Sequence, residues 1–442
     1  MFMRNPQVVI RGELFGGMAF NRKTGTTLEL DHEAQYLLNI LERPTEIDNL
    51  YSIISNEYQR DVSKTELSTF IGNLIDLGFV KEVGKNKGQN NKFVPRLNRK
   101  EQMPGMKIPN FLIAPESVHL TVTKKCNLNC PLCYETTKVQ PELSKEAIFA
   151  LINELAGMKV FQLALGGGEP FLRKDIFDII TYCRSRGIVP NITTNGTLIN
   201  EATIERIKNN VGGISVSLNG YSSEINIGRD SESFIDAVSG LKRLLKAGLP
   251  TGVNVLVSNK NLQYLEDTFK FLIRLNVKWV NVLRLKPGLN TSHLDQYLLS
   301  KKDLSKLKKV LDRWNGLLRI NVDTALTCLL YTVPEQRLRE KAVYGCVAGI
   351  RFCTIDSDGN VYPCSFFKDP KYKAGSILNE DFQKIWLNAS VFTQFREMKN
   401  RLNGKCGACR IKEYCGGCRS IVLGEKHDFY GEDTACLKDN GG

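Results

Sequence analysis

From residue 117 to residue 285 the chain alternates apolar strand-like segments with helical ones, and this repeat constrains the fold more than any other feature of the sequence. The strand candidates are SVHLTVT (117–123), VFQLALG (160–166), IVPNITT (188–194), GISVSL (213–218), GVNVLV (252–257) and VNVLRL (280–285). Helical patterns fall between them near 144–157, 172–186, 200–209, 231–247 and 263–275. Repeated β/α units demand a parallel sheet with right-handed crossovers, and such sheets gather their functional groups at the C-terminal strand ends. Six units cannot close an eight-stranded barrel, so the expected α/β fold is a partial (β/α)6 TIM-like barrel.

Different patterns flank the repeat. Residues 8–30 read as short strands with Gly16, Gly17 and Gly25 at the turns, followed by helical patterns at 31–42, 47–58 and 63–78. The third helix opens on Ser63 with Glu66 three residues later, the spacing of a capping box, and Gly78 stands near its end as a stop. Two or three strands beside three short helices is the inventory of a winged helix. Residues 84–110 then lose periodicity and gain Gly, Asn, Lys and Pro, as linkers do. Beyond about residue 340 the chain is rich in Gly and Cys with little periodicity, so ligands are expected to substitute there for a hydrophobic core. The expected organisation is a winged-helix domain at 1–95, a linker at 96–112, the partial barrel at 113–335 and a cysteine-rich iron–sulfur domain at 336–442.

The 442 residues suffice for about three domains, and 42% hydrophobic against 24% charged residues is ordinary globular composition. No apolar run nears the ~18 residues of a membrane span, and the first residues lack the apolar stretch of a signal peptide. A cytoplasmic protein with no membrane partner is therefore expected. In a reducing cytosol thirteen cysteines, an odd number, point to metal binding or redox chemistry rather than disulfides. The net charge of +13 does not choose among nucleic acid, an acidic peptide and plain solubility. Its densest run, from Lys301 to Arg313, carries apolar residues at helical spacing and reads as a solvated helix face.

The segment TKKCNLNCPLCYE follows the first strand of the repeat and puts Cys126, Cys130 and Cys133 on one loop at C-x3-C-x2-C spacing. Three thiolates leave one position of a tetrahedral or cubane centre open. An open iron of a [4Fe–4S] cluster can bind and activate a substrate, whereas the alternative, an incomplete zinc knuckle, would be structural. The loop resembles the defining C-x3-C-x-aromatic-C loop of the radical S-adenosylmethionine superfamily, with Leu132 at the usual aromatic position and Tyr134 after the last cysteine. That resemblance implies a [4Fe–4S] cluster on Cys126, Cys130 and Cys133 whose fourth iron is chelated by the amino and carboxylate groups of S-adenosyl-L-methionine. The run Gly166–Gly167–Gly168–Glu169–Pro170 is similar to the family's GGE motif, which implies Gly167, Gly168 and Glu169 around the methionyl ammonium. Thr194 and Asn195 end the third strand and Ser217 and Asn219 the fourth, supplying groups suited to ribose and carboxylate oxygens. Related peptide-modifying members often carry Asp where Asn219 stands. Arg229 resembles a downstream arginine that pairs with the methionyl carboxylate, a surface ion pair being the alternative. Val255 and Leu283 read as adenine contacts or as ordinary core.

A second series comprises Cys346, Cys353, Cys364, Cys406, Cys409, Cys415, Cys418 and Cys436. With its Gly359-x4-Cys364 step and C-x2-C-x5-C core it resembles the SPASM extension of radical enzymes that modify peptides. It departs in having C-x2-C at 415–418, where C-x3-C is common. The resemblance implies one auxiliary [4Fe–4S] cluster on Cys346, Cys353, Cys364 and Cys418 and another on Cys406, Cys409, Cys415 and Cys436, for three [4Fe–4S] clusters in all. A pair of zinc ribbons is the alternative, since C-x2-C loops also bind zinc. Cys183 and Cys328 are left over and read as buried small hydrophobes. No histidine lies in a ligand-like pair, and none is assigned chemistry. Ser365 follows Cys364 where sulfatase-maturing relatives carry an acid, which argues against formylglycine formation.

The candidate recognition helix of the front domain, with Lys64 but also Glu66 and Asp76, is a poor reader of DNA. The domain resembles instead the small peptide-recognition element of ribosomal-peptide maturases, a winged helix that captures a leader peptide by strand addition. Together the resemblances imply a radical SAM oxidoreductase that installs a thioether or carbon–carbon crosslink in a ribosomally synthesised precursor peptide. Its implied partners are the leader segment of that peptide and an electron donor such as flavodoxin or ferredoxin, with no nucleic acid. A radical enzyme acting on RNA or on a small cofactor precursor, and a zinc-dependent DNA-binding protein, are the alternatives.

Overall fold

The computed structural model describes residues 1–58, 63–84, 110–135, 141–226, 231–287 and 292–438, and the chain divides into two units, Met1–Ile113 and Ala114–Gly442. The first unit runs β1 (Phe2–Arg4), β2 (Val8–Glu13), β3 (Gly16–Asn21), β4 (Thr27–Leu30), α1 (His32–Ile40), α2 (Ile47–Tyr58), α3 (Lys64–Asp76) and β5 (Val80–Glu82). β2, β3 and β4 form an antiparallel sheet in that order, and β1 pairs antiparallel with β5. Both halves of the capping box are made: Glu66 N donates to Ser63 Oγ at 3.2 Å, and Ser63 N donates to Glu66 Oε2 at 3.0 Å. Gly78, at φ +77°, turns the chain out of α3 and offers its carbonyl to the side-chain amides of Asn5 and Asn21. Leu37, Leu38, Leu67, Ile71 and Leu74 recur at helical spacing and bury one face of α1 and α3 in the core of this unit.

In the second unit the repeat becomes β6 (Ser117–Thr123), α4 (Lys145–Gly157), β7 (Gln162–Gly167), α5 (Ile176–Ser185), β8 (Val189–Thr194), α6 (Glu201–Ile207), β9 (Ile214–Ser217), α7 (Ser231–Lys246), β10 (Thr251–Val257), α8 (Leu265–Arg274) and β11 (Trp279–Arg284). The six strands pair parallel in sequence order. Two extensions were not expected. After α9 (Lys301–Trp314), whose buried Leu304, Leu307 and Val310 leave Lys301, Lys302, Lys306 and Lys309 exposed, a seventh parallel strand β12 (Ile320–Val322) joins β11. On the other side β13 (Phe352–Ile355) pairs parallel with β6, and β14 (Asn360–Tyr362) and β15 (Gly375–Ser376) continue antiparallel, so the cysteine-rich region extends the barrel sheet to ten strands.

Period-two alternation gives this sheet two unlike faces. Val118, Leu120, Leu163, Leu165, Val253, Val255, Val280 and Val282 are fully buried under the crossover helices and form the main core. The concave face carries His119, Thr121, Gln162, Asn191, Ser215, Asn254 and Asn281, and its amides bond across strands: Asn191 to Gln162 at 2.6 Å and Asn281 to Asn254 at 2.7 Å. The expectation that ligands replace a core beyond residue 340 is corrected. Phe367, Tyr372, Phe395, Met398 and Phe429 form an edge-to-face aromatic core of their own there. Phe395 and Met398 share one face of the helix Ser390–Arg401, but Phe367, Tyr372 and Phe429 come from separate loops and turns, so no single period runs through the set. Among the described residues no helix is long and apolar enough to cross a membrane.

Candidate active site

Cys126, Cys130 and Cys133 stand on the loop leaving the C-terminal end of β6, all as free thiols, the first two half-buried and the third exposed. Burial pushes the half-buried Cys126 thiol above the usual thiol range. The end of β7 lies directly on the stem of this loop: Gly168 N donates to Thr123 O and Glu169 N to Lys125 O, both at 2.8 Å. A Cβ on Gly167, at φ +123°, would fall 2.2 Å from Thr123 O, and one on Gly168 would fall 2.1 Å from Lys125 O. The two glycines are thus required by the close approach of two backbones.

Glu169 is fully buried, and its carboxylate accepts from Thr194 Oγ1 at 2.8 Å, Asn195 N at 2.7 Å and Phe171 N at 3.2 Å. It therefore joins the end of β7 to the end of β8. Asn195 carries the connection onward: its Nδ2 donates to Asn127 Oδ1 at 2.8 Å and lies 3.9 Å from Cys126 Sγ. Gly167, Gly168, Glu169, Thr194 and Asn195 thus surround the base of the cysteine loop. Ser217 ends β9 on the concave face, and Asn219, just beyond, accepts from Leu256 N at 3.0 Å through Oδ1, holding the ends of β9 and β10 together. Arg229 lies outside the described residues. Val255 is core on the helix-covered face, and Leu132 packs with Leu285 and Leu294 in a separate apolar cluster.

Sequence reasoning missed a buried ring of four charges beside the same loop. Lys124 Nζ lies 2.7 Å from Asp356 and 3.5 Å from Glu135, while Lys368 Nζ lies 2.6 Å from Glu135, 2.8 Å from Asp356 and 3.1 Å from Thr121 Oγ1. Burial opposes both charges, yet Lys368 and Lys124 hold Asp356 below the usual carboxylate range, and Glu135 and Asp356 hold Lys368 above the usual ammonium range. The ring ties both stems of the cysteine loop to the segment after β13. No local pattern announces it, because its members come from positions far apart in the chain. Nearby, the Tyr134 and Phe366 rings are 4.9 Å apart. His119, assigned nothing from sequence, places Nδ1 3.1 Å from Ser365 Oγ, which is itself 3.0 Å from Thr354 Oγ1. Burial and the Lys368 charge lower its pKa to about 3, so the imidazole is neutral.

Of the later cysteines, Cys406, Cys409, Cys415 and Cys436 line one cavity. Cys328, left over in the sequence, is a fifth thiol on that cavity, and Asp433, which also lines it, is paired to the buried Arg284 at 2.8 Å. Cys346, Cys364 and Cys418 are electrostatic neighbours of one another, with Lys286 beside Cys364 and Cys418. Cys353 is not among them; it is fully buried in the main core, as is Cys183.

Comparison with known proteins places these features. The model of the radical SAM superfamily matches residues 120–272, and that of the SPASM iron–sulfur cluster-binding domain matches residues 346–410. The AdoMet-dependent heme synthase of Methanosarcina barkeri is 29% identical over 343 residues, spanning 73% of this chain and 97% of that protein. The mycofactocin maturase MftC of Mycobacterium tuberculosis is 29% identical over 345 residues, 74% of this chain and 84% of that protein. The fold is similar to that of Streptococcus suis SuiB bound to its precursor peptide SuiA, with a TM-score of 0.74 at 19% identity over 99% of this chain and 100% of that one.

Proposed function

We propose that this chain, which belongs to the radical S-adenosylmethionine superfamily and carries a C-terminal SPASM domain, matures a ribosomally made precursor peptide by installing a thioether or carbon–carbon crosslink. The observation that carries the peptide reading is one of extent. The likeness to the peptide-bound SuiB fold takes in 99% of the chain, front unit included, whereas the heme synthase match takes in 73% of this chain and nearly all of that protein. The resemblance of the front unit to a winged-helix leader-recognition element supports the same reading. Among the described residues β2 and β4 are the outermost strands of the β2–β3–β4 sheet, the kind of position at which a leader segment adds as a strand.

Three free thiols on one loop, beside a fully buried carboxylate, suit a [4Fe–4S] centre with one open iron. Cys126, Cys130 and Cys133 would hold that centre, which with S-adenosylmethionine and an electron from a flavodoxin or ferredoxin would supply 5′-deoxyadenosyl radical chemistry for removing a hydrogen from the peptide. Gly167 and Gly168 bring the β7 end onto the cysteine loop, and Glu169 provides the buried negative charge that favours the methionyl ammonium. Thr194, Asn195, Ser217 and Asn219 are assigned to ribose and carboxylate oxygens, and Arg229 to the carboxylate. The polar concave face, with Asn254 and Asn281, offers amide donors and acceptors that would help to orient a peptide backbone. The thiols of the cysteine-rich region are assigned to two auxiliary [4Fe–4S] clusters, three clusters in all.

Anaerobic purification followed by metal analysis is expected to find about twelve irons per chain, at four per cluster. Mass spectrometry of a precursor peptide encoded nearby, after reaction with the enzyme and cofactor, is expected to show loss of two hydrogens. Cys126→Ala abolishes reductive cofactor cleavage, while deletion of residues 1–95 spares that cleavage and weakens peptide turnover. The likeness to heme synthase favours a second reading, in which the same core acts on a small cofactor precursor. Turnover unchanged by the deletion would select it.

A further inference from the structure

We infer that Cys328 is a ligand-competent thiol of the second auxiliary site, interchangeable with Cys436 as the fourth thiolate beside Cys406, Cys409 and Cys415. The inference rests on the reading that the cysteine-rich region holds [4Fe–4S] clusters. It goes beyond that reading in giving one cluster a reserve ligand from outside that region, at a position no spacing motif marks.

Five residues with thiols line one cavity, Cys328, Cys406, Cys409, Cys415 and Cys436, where a cubane takes four thiolates. Cys328 stands on the 3-10 helix Thr324–Leu330 and is 2% exposed, and among the described residues its thiol makes no hydrogen bond. The other leftover cysteine, Cys183, is as deeply buried, but it lies on α5 and does not line the cavity. Burial alone therefore does not account for the place of Cys328.

A buried ion pair holds the segment of Cys328 beside that of Cys436. Arg284, at the end of β11, donates through Nη1 to Ala325 O at 3.1 Å and to Asp433 Oδ2 at 2.8 Å, and through Nη2 to Asp433 Oδ1 at 3.2 Å. Asp433 in turn accepts from Ala435 N at 3.2 Å through Oδ1 and from Cys436 N at 3.1 Å through its carbonyl. One guanidinium thus ties the 3-10 helix that carries Cys328 to the turn that carries Cys436. Arg284 and Asp433 are 3% and 1% exposed, so this bidentate pair is shielded from water and fixes the spacing of the two segments. The other three thiols are held differently. Cys406, Cys409 and Cys415 fall within ten residues, Cys409 N donates to Cys406 O at 3.3 Å, and Cys415 Sγ accepts from Gly417 N at 3.4 Å. Cys436 alone among the four shares its anchor with Cys328, and it is therefore the thiolate that Cys328 replaces. Asp433 also lines the cavity, but both of its carboxylate oxygens are taken by Arg284, so it is not the alternative ligand. Exchange breaks the Fe–S bond to Cys436 and forms one to Cys328; the Cys328 proton passes to the departing thiolate, and no electron moves.

The test reads iron and EPR spectra rather than turnover, in the full-length protein with Cys126, Cys130 and Cys133 replaced by alanine, a background in which only auxiliary clusters remain. An iron without a thiolate is the corner that a cubane sheds on oxidation, and the [3Fe–4S] centre left behind has its own EPR signal. Cys436→Ala is expected to match its background in iron, sulfide and [3Fe–4S] signal after ferricyanide oxidation, because Cys328 completes the site. Cys328→Ala added to Cys436→Ala is expected to cost about half of the iron or to add one [3Fe–4S] centre per chain. Cys183→Ala added to Cys436→Ala is expected to change neither. A Cys436→Ala protein that by itself loses the iron or gains the [3Fe–4S] signal overturns the inference, and so does a double variant with Cys328→Ala that is indistinguishable from Cys436→Ala. If Cys436→Ala fails to fold, Cys436→Val, which keeps the buried volume, takes its place in each comparison. A background protein without iron would remove the iron–sulfur reading itself, whereas about eight irons per chain in the background, with loss on Cys436→Ala, removes only the exchange.

Discussion

Replacing Lys368 by methionine removes one corner of the buried charge ring while keeping the aliphatic stem. The side chain is 12% exposed and its ammonium contacts Glu135 at 2.6 Å, Asp356 at 2.8 Å and Thr121 Oγ1 at 3.1 Å. Breaking a buried pair by removing one partner costs about 3–5 kcal/mol, because the other charge is left desolvated and uncompensated. Lys124 remains at 2.7 Å from Asp356, which favours the lower end, but it stands 3.5 Å from Glu135 and compensates that carboxylate poorly. A loss of about 3 kcal/mol, at an unfolding entropy of about 2 cal/mol/K per residue, lowers the melting temperature of a unit of this size by roughly 4 °C. Differential scanning calorimetry of the holoenzyme measures it. Lys64→Met provides the contrast: Lys64 also touches a carboxylate at 2.7 Å, that of Asp48, but both side chains are more than half exposed, and no shift is expected. The ring also carries the stems of the cysteine loop, so Lys368→Met should slow cofactor cleavage as well. Melting of Lys368→Met within about 1 °C of the parent would refute the reasoning.

The same ring sets a pH dependence. Asp356 has its folded-state pKa held below its ordinary value of 3.8, so its contribution is complete above that value and is lost as pH falls through the folded pKa. Lys368 has its pKa raised above 10.5, so its contribution is complete below that value and is lost as pH climbs through the raised one. Urea midpoints should therefore draw nothing from the titration of Asp356 or Lys368 between about pH 5 and pH 10, and Lys368→Met should flatten both outer limbs; a mutant profile parallel to the parent's contradicts the assignment. Gly168→Ala places a methyl 2.1 Å from Lys125 O, where only backbone can yield. The variant is expected to retain auxiliary iron, lose the iron of the first loop and fail to cleave the cofactor; a full iron complement would show that the approach of the two backbones is dispensable.

Much of the fold was legible where one period ran unbroken. The six strands of the repeat are within two residues of their expected positions, and the Ser63–Glu66 spacing marked the start of α3. β1 and β5 are three residues each and carry no alternation long enough to read, and β12 is equally short. β13 presented a different obstacle: its place in the barrel sheet depends on a pairing with β6 across more than two hundred residues. At the site, the cysteine spacing and the GGE-like run were legible because each is local. The charge ring, the His119–Ser365–Thr354 contact and the fifth thiol at Cys328 were not, since each is assembled by sheet order from distant segments whose individual residues look ordinary. The glycines show the difference in another way. Their presence was readable, but the reason for it, the carbonyls of Thr123 and Lys125 lying where a Cβ would go, appears only once β7 is set against the loop.

Strand β6 links all of these parts. Its C-terminal end carries the three-thiol loop, one flank is paired with β7, which delivers Gly167 and Gly168, and the other flank is paired with β13, which leads into the segment bearing Asp356, Cys364 and Lys368. The spacing between the first thiols and the segment bearing Cys364 is thus set by sheet register and by the charge ring. A radical that abstracts whichever hydrogen is nearest needs such a fixed frame, because an error of about an ångström selects a different carbon. The polar concave face lies on that frame, with His119 in contact with Ser365, the residue after Cys364. Changes there, rather than in the thiols themselves, are where selectivity among peptide positions should be altered without loss of iron.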